Sequence, residues 1–380
     1  MRVPFSQVRE ENRELMDELL PRLTEVLESG VLVGGDEVPR FERAFARLHG
    51  TREAVAVNSG TDALRLALRA LGVPRGSVGI TVANTFVATV GALVSEGVRP
   101  LLVDVGADEN IDPEAVAAAV TEETGVVVAV HLRGRPAQMD VLRDLCAERG
   151  VPLIEDCAQA VGAVFSGRPV GGFGAVGCFS LHPLKNLAAC GDAGVVVTDD
   201  TKLADRLRLL RNHGLADRDT VALWGENSRL DPLQAAALDV KLSRLAGWTK
   251  SRRELAALYD ARLAGLPLVL PAHGPDRTHV YHRYVVRTPW RAELRAHLAA
   301  AGVETAIHYP VPVHRQPAAR TGGVAVADGG LPVTEHQSGE ILSLPLHPLL
   351  TEEQIDYVTD RITEFHHRRS LRAHRDEVGA

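Results

Sequence analysis

The apolar positions of this chain change their period again and again. Runs such as Ala54-Val55-Ala56-Val57 are continuous, whereas Ala63, Leu64, Ala67, Leu68 and Leu71 recur at the 3.6-residue spacing of a helix. Continuous runs predict seven buried strands, over residues 54–57, 78–82, 100–103, 125–130, 151–154, 176–180 and 194–198. Helical periods fill most of the gaps, at 85–96, 113–120 and 139–149. Strands alternating with helices imply an α/β fold with a mostly parallel sheet covered on both faces. Ligands of such sheets bind beyond the carboxyl ends of the strands.

On either side of this pattern the chain is more helical. Leu15, Leu19, Leu23, Val26 and Leu27 give a helix within 10–29, and another is expected over 38–48, so the segment 1–50 reads as helical. After Asp200, helices are expected at 202–211, 232–245 and 248–263. A shorter α+β region follows, with strands near 280–287 and 341–344 and helices at 290–301 and 352–365. The pattern predicts a large domain over 1–245 and a smaller C-terminal α+β domain over 246–380, with the charged run 366–380 frayed.

Length and composition narrow the classes. A chain of 380 residues exceeds one small core, and 45% hydrophobic with 24% charged residues is ordinary for a soluble globular protein. A net charge of -7 without a basic stripe disfavours nucleic acid. Met1 to Ser6 lacks the apolar core of a signal peptide, and no segment reaches about 18 uninterrupted apolar residues, so a cytoplasmic protein without a membrane span is expected. Cys146, Cys157, Cys178 and Cys190 show no C-x-x-C spacing and sit in or beside apolar runs, which predicts buried thiols. No histidine pair has zinc-like helical spacing, and no metal is expected.

Candidate chemistry lies at the strand ends. Asn58-Ser59-Gly60-Thr61 opens a helix, where backbone N–H groups and hydroxyls can hold a phosphate; the plainer reading is that Ser59 or Thr61 caps the helix. Asp156 can pair with a cationic ring nitrogen or cap a turn, and Phe86 can stack on a planar ring or fill core. Lys185 stands between an apolar strand and the turn Gly191-Asp192-Ala193-Gly194. There it can lose hydration and act as a neutral amine able to form a Schiff base, although most lysines are surface charges. Ser180 and His182 flank it and can contact a phosphate or a substrate, or be satisfied locally. Gly172 to Gly177 fits G-x-G-x-x-G, but strand-like Cys178-Phe179-Ser180 follows instead of a helix, so a dinucleotide site is rejected.

One combination unites these signals. Asn58 to Leu64, Ala83 to Thr89, His131 to Pro136, Glu155 to Gln159, Phe179 to Leu187, Gly225 to Leu230 with Gln234 to Ala236, His308 to His314 and Leu342 to His347 closely resemble the DegT/DnrJ/EryC1/StrS family of sugar aminotransferases. The resemblance implies the fold type I aminotransferase architecture and a pyridoxal 5'-phosphate cofactor. It implies Lys185 as the Schiff-base lysine and proton carrier, and Asp156 as partner of the pyridine nitrogen. Gly60, Thr61 and Ser180 become phosphate ligands, Phe86 the stacking ring, and Gln159 the neighbour of the ring hydroxyl. Asn227 is implied to reach the cofactor phosphate of a second subunit, making the active unit a homodimer with shared sites. His308, Tyr309, His182 and Arg229 fall to the substrate.

The reaction implied is ping-pong transfer of an amino group from glutamate or glutamine to a ketosugar, most simply a nucleotide-linked one, with a keto-cyclitol as the alternative acceptor. Relatives that remove a sugar hydroxyl replace the lysine with histidine, so Lys185 argues against a sugar dehydratase, and the complete cofactor set argues against a non-catalytic relative. Arg133 departs from the family, where many members have an aromatic after His131-Leu132. It can meet an anionic group of the substrate or face outward, and the surface reading is preferred.

Overall fold

The computed structural model describes residues 1–378. The seven expected strands are present and share one sheet with an eighth. From edge to edge the order is Glu53–Val57, Gly194–Thr198, Val176–Ser180, Leu153–Asp156, Thr124–Val130, Val78–Val82, Arg99–Val103 and Ala325–Val326. Gly194–Thr198 is antiparallel to both neighbours and every other pairing is parallel.

Alternation along the strands divides the core between the two faces. Val55, Val57, Val176, Cys178 and Val196 pack with Ala63, Leu64 and Ala67 of the helix Gly60–Leu71. Ala54, Ala56, Phe179, Val195 and Val197 pack with Phe41 and Phe45 of the helix Glu37–His49. Covered on both faces, the sheet has its free polar groups at strand ends.

The structure corrects several expectations. The eighth strand was not foreseen, because Ala325–Val326 is two exposed residues beside Gly322-Gly323, too short to show a period. The strand expected at 151–154 runs Leu153–Asp156: Glu155 and Asp156 pair with Gly177 and Cys178 despite their charge. The two helices expected at 232–245 and 248–263 are one, Pro232–Leu263. Gly247 lies in open space within it, and a glycine costs a helix only about 1 kcal/mol, which packing against the helices Met16–Ser29, Glu37–His49 and Glu352–Val378 outweighs. The last helix does not stop at 365 but continues to Val378; residues 379 and 380 of the run expected to fray lie outside the described residues. Cys190 is exposed, whereas Cys146, Cys157 and Cys178 are buried. Among the described residues no helix is long and apolar enough to cross a membrane.

Candidate active site

The strand Glu53–Val57 delivers the chain to Ser59, the N-cap of the helix Gly60–Leu71, whose hydroxyl accepts from Asp62 N–H at 3.1 Å. Ala63 N–H is taken by the Ser59 carbonyl at 2.9 Å. The first N–H groups of a helix have no partner within it, which leaves those of Gly60 and Thr61 for an anion. Residue 60 must be glycine for a local reason, since a Cβ there would lie 2.6 Å from Cβ of Ser180, at the end of the next strand but one in the sheet.

Asp156 ends the strand Leu153–Asp156 and is buried. Its carboxylate accepts from Thr89 Oγ1 at 2.7 Å and Ala158 N–H at 3.1 Å. Burial pushes its carboxyl above the usual range, against the pull of those donors and of Lys185 and His131. Strand alternation turns its neighbour Glu155 the other way. There the Glu155 carboxylate accepts from Gly171, Phe173 and Gly174 N–H at 2.8, 2.6 and 2.8 Å and from His131 Nε2 at 3.1 Å. The glycine motif rejected as a dinucleotide site thus wraps a buried carboxylate. His131, Glu155 and Cys157 bring ligand-type atoms within 4.8 Å of one another, but Glu155 is fully engaged and His131 Nδ1 accepts from Ala137 N–H at 3.0 Å. The cluster is a hydrogen-bonded support under the Asp156 strand.

Beyond the strand Val176–Ser180 the chain makes a tight turn. Lys185 N–H donates to the His182 carbonyl at 2.8 Å, Leu184 N–H to His182 Nδ1 at 3.2 Å, and Ala189 N–H to the Leu181 carbonyl at 2.8 Å. The Lys185 amine is pulled down to about 8 by loss of hydration, with repulsion from Arg283 adding and Asp156 opposing.

A cavity of about 420 Å³ collects these ends, with Gly60, Thr61, Phe86, Asp156, Gln159, Ser180, His182, Lys185, His308 and Tyr309 in its wall. Gln159 Nε2 donates to the Tyr309 hydroxyl at 3.2 Å, and His308 Nδ1 meets Ser343 Oγ at 2.9 Å. Burial lowers His308 to about 4, with Arg283, Arg133 and Lys185 adding to the effect, so this ring is neutral at pH 7.

A model described as the DegT/DnrJ/EryC1/StrS aminotransferase family matches residues 13–363. The chain belongs to this family. It is 43% identical over 366 residues to dTDP-3-amino-3,4,6-trideoxy-alpha-D-glucose transaminase of Streptomyces venezuelae, covering 96% of each. The crystal structure of S. venezuelae DesV in complex with a ketimine intermediate superposes with a TM-score of 0.93 at 44% identity, covering 96% of this chain and 98% of that one. NtdA from Bacillus subtilis, with bound cofactor PMP, gives a TM-score of 0.89 at 30% identity over 96% of this chain and 85% of that one. This DegT/DnrJ/EryC1/StrS member is a pyridoxal-phosphate-dependent aminotransferase of fold type I.

The residues present fit that cofactor. The helix start at Gly60 has no side chain filling the space before Ser180, and Phe86, 51% exposed though apolar, offers its ring to the cavity. Asp156 is a buried carboxylate at the strand end, raised by burial and lining the cavity, where a cationic ring nitrogen would pair with it. Lys185 is an amine brought down to about 8, so its neutral form is within reach at mild pH. Its titration carries an expected result: uptake of pyridoxal phosphate by the apo-protein accelerates about tenfold per pH unit below about 8, where the neutral amine is the minor form, and levels off above. Stopped-flow absorbance between pH 6 and 10 checks this, and a flat profile from 6 to 8 would contradict it.

Two residues in the family's site set are not brought here by this chain. Asn227 is exposed and bridges to Asn212. Arg229 donates to Asn212 Oδ1 at 3.0 Å and lines a different cavity, about 710 Å³, beside Val33, Gly34 and Gly35. The cause is local: Ser228 is tied to Asp62 Oδ2 at 2.8 Å and to Asn58 N–H at 3.3 Å, holding the loop outside the pocket. Arg133 corrects a further expectation, since it is buried and paired with Glu109, not a surface residue.

Sequence reasoning also missed Thr89, His282 and Arg283 in the wall. Thr89 sits one helical turn from Thr85, bonded to it at 2.8 Å, a pairing visible only once the helix position is known. Phe5 was missed too; it stacks on His308 at 5.8 Å and lies under Arg283 at 5.1 Å.

Proposed function

We propose that this protein transfers an amino group from glutamate or glutamine to the keto group of a nucleotide-linked sugar. The observation that carries the reading is one pocket holding Lys185, its amine pulled down to about 8, a buried Asp156 and the open helix start at Gly60 and Thr61. Bound there, pyridoxal phosphate supplies an aldehyde carbon that exchanges amines and a ring that withdraws electrons from the reacting carbon.

The chain's own groups do the rest. Gly60, Thr61 and Ser180 bind the phosphate, Phe86 and Gln159 orient the ring, and Asp156, braced by Thr89, keeps the ring nitrogen protonated. Lys185 Nζ, once free, takes a proton from substrate carbon and returns it elsewhere on the reacting system, a step that needs its amine neutral. His182, His308 and Tyr309 contact the substrate. Residues 1–245 then act as the cofactor domain, and residues 246–380 lend His308 and Tyr309 from the smaller one.

The acceptor reading is supported by the Streptomyces venezuelae relative, a dTDP-sugar transaminase; the keto-cyclitol alternative gains no support from it. Two copies pair, with Asn227 and Arg229 completing the partner's site. Support for pairing lies in the exposed apolar run Val31, Leu32 and Val33 and in Trp224, 86% exposed, near Asn227. Four free cysteines agree with a cytoplasmic setting.

The test is spectroscopic. The purified holoenzyme absorbs in the visible, glutamate bleaches the band, and a dTDP- or UDP-linked ketosugar restores it. Bleaching that no nucleotide ketosugar reverses, while a keto-cyclitol does, would overturn the acceptor assignment; no band with added pyridoxal phosphate would overturn the role of Lys185.

A further inference from the structure

Arg133 is a buried cation that the reaction above does not use. It takes a left-handed backbone conformation (φ 60°), and so does its ion-pair partner Glu109 (φ 67°). Strain at both ends of one pair persists only where the surroundings impose it. The pair stands in the wall of a third cavity, about 70 Å³, with Arg135, Arg283, Arg287 and Asp108.

Four guanidinium groups therefore face two carboxylates, and the carboxylates are shared. Asp108 is held by Arg277 at 2.6 Å, outside the cavity, and lies 3.8 Å from Arg135 Nη1, an ion pair too long for a hydrogen bond. Glu109 serves Arg287 at 3.4 Å as well as Arg133, while Glu340 reaches Arg287 at 3.6 Å. Arg133 Nε and Nη2, Arg135 Nη1 and Arg283 Nε have no hydrogen-bond partner among the described residues. As whole residues these three are 7, 9 and 8% exposed. Buried donors without acceptors are costly, and an anion supplies what they lack.

The small cavity adjoins the large one. Arg283 lines both, and Gln159, in the wall of the large cavity, accepts Arg133 N–H through Oε1 at 2.6 Å. A volume of about 70 Å³ has room for about two waters, enough for one planar carboxylate and too little for a sugar ring or a nucleotide.

We propose that the arginine-walled compartment receives a carboxylate carried by a substrate whose reacting carbon lies in the main pocket. The inference rests on the aminotransferase reading of that pocket. Two substrates could bring the group, a dicarboxylate amino donor through its distal carboxylate or a sugar acceptor bearing an acid.

Arg133→Gln removes the charge while Arg287 remains to hold Glu109. Four probes separate the sources: glutamate against glutamine in the donor half-reaction, and UDP-glucuronate against UDP-glucose by calorimetry on the holoenzyme. The wild type favours the charged member of one pair, and the variant weakens that member at least about tenfold while its uncharged counterpart moves less than about twofold. Arg133→Lys retains part of the preference. A fall confined to glutamate assigns the donor, and one confined to UDP-glucuronate assigns the acceptor. Unchanged binding in both pairs, or an equal fall of both members of a pair, overturns the proposal. If Arg133→Gln does not fold, Arg135→Gln carries the same comparison. The visible cofactor band serves as the separate control: its absence from the wild type refutes the aminotransferase reading, while its presence with no charge preference refutes only the carboxylate site.

Discussion

Lys185→Ala lowers transamination about 10⁴-fold or more while leaving the fold intact. The lysine occupies the tip of a turn held by backbone bonds from residues 181, 182 and 189, none of which uses its side chain, so the loss is chemical. In the proposed mechanism, removing it takes away both the amine that exchanges with substrate and the base that moves the proton. Steady-state rates with glutamate, beside thermal unfolding of both proteins, separate the two kinds of effect. The proposed pairing of two copies adds a sharper consequence. Lys185→Ala and Asn227→Ala chains, each inactive, regain activity when unfolded together and refolded, because a mixed dimer carries one site with both residues native. Random pairing of two equal pools restores about a quarter of wild-type activity. If the mixture stays as inactive as its components, Asn227 does not act across subunits.

Glu155→Ala destabilises the protein by about 3–5 kcal/mol, the range for removing one partner from a buried charged network. The carboxylate is 0% exposed and gathers three backbone N–H groups and the His131 ring from the loop 171–174 and the strand beside it. Its loss strands those donors in a dry interior directly behind Asp156. Burial pushes this carboxyl up, but His131 and the backbone donors outweigh it, and the net shift is downward. A carboxyl held below its unfolded value contributes fully above that value and loses the contribution as pH falls through the folded one. The wild type is therefore the more acid-sensitive protein, and the gap to Glu155→Gln narrows as pH drops below the unfolded carboxyl value of about 4.3. Denaturant melts at pH 7 and pH 3.5 measure both effects; a gap that does not change with pH would mean that the folded protein does not hold the Glu155 carboxyl below its unfolded value.

Lys185, Asp156 and Gly60 were legible as chemistry because each follows an apolar run that could only be a strand, and strand ends are where an α/β sheet leaves polar groups free. Glu155 was not distinguishable from Asp156 by that reasoning. The two are adjacent acids at one strand end, and only the pleat decides which meets the pocket and which the loop behind it. Arg133 was read outward because a charged residue in a polar, glycine-containing stretch is ordinarily solvated. Its burial depends on Glu109, Arg283 and Arg287, far away in sequence and joined only by folding. Arg229, expected among the substrate groups, sits in this chain on an outer loop pinned by Ser228, a constraint with no local signature.

The sequence by itself determined the α/β alternation, the strands of the main sheet save one short edge, the strand-end placing of Lys185 and Asp156, and the family. Those features rest on local information: hydrophobic period, glycine placement and the residues at strand ends. Only the tertiary structure decided the eighth strand, the unbroken helix Pro232–Leu263, the support beneath Asp156 and the cationic compartment around Arg133. Each of these joins residues whose own neighbours in the chain do not announce the contact, and its energy comes from burial and pairing that exist only once the distant segments have met.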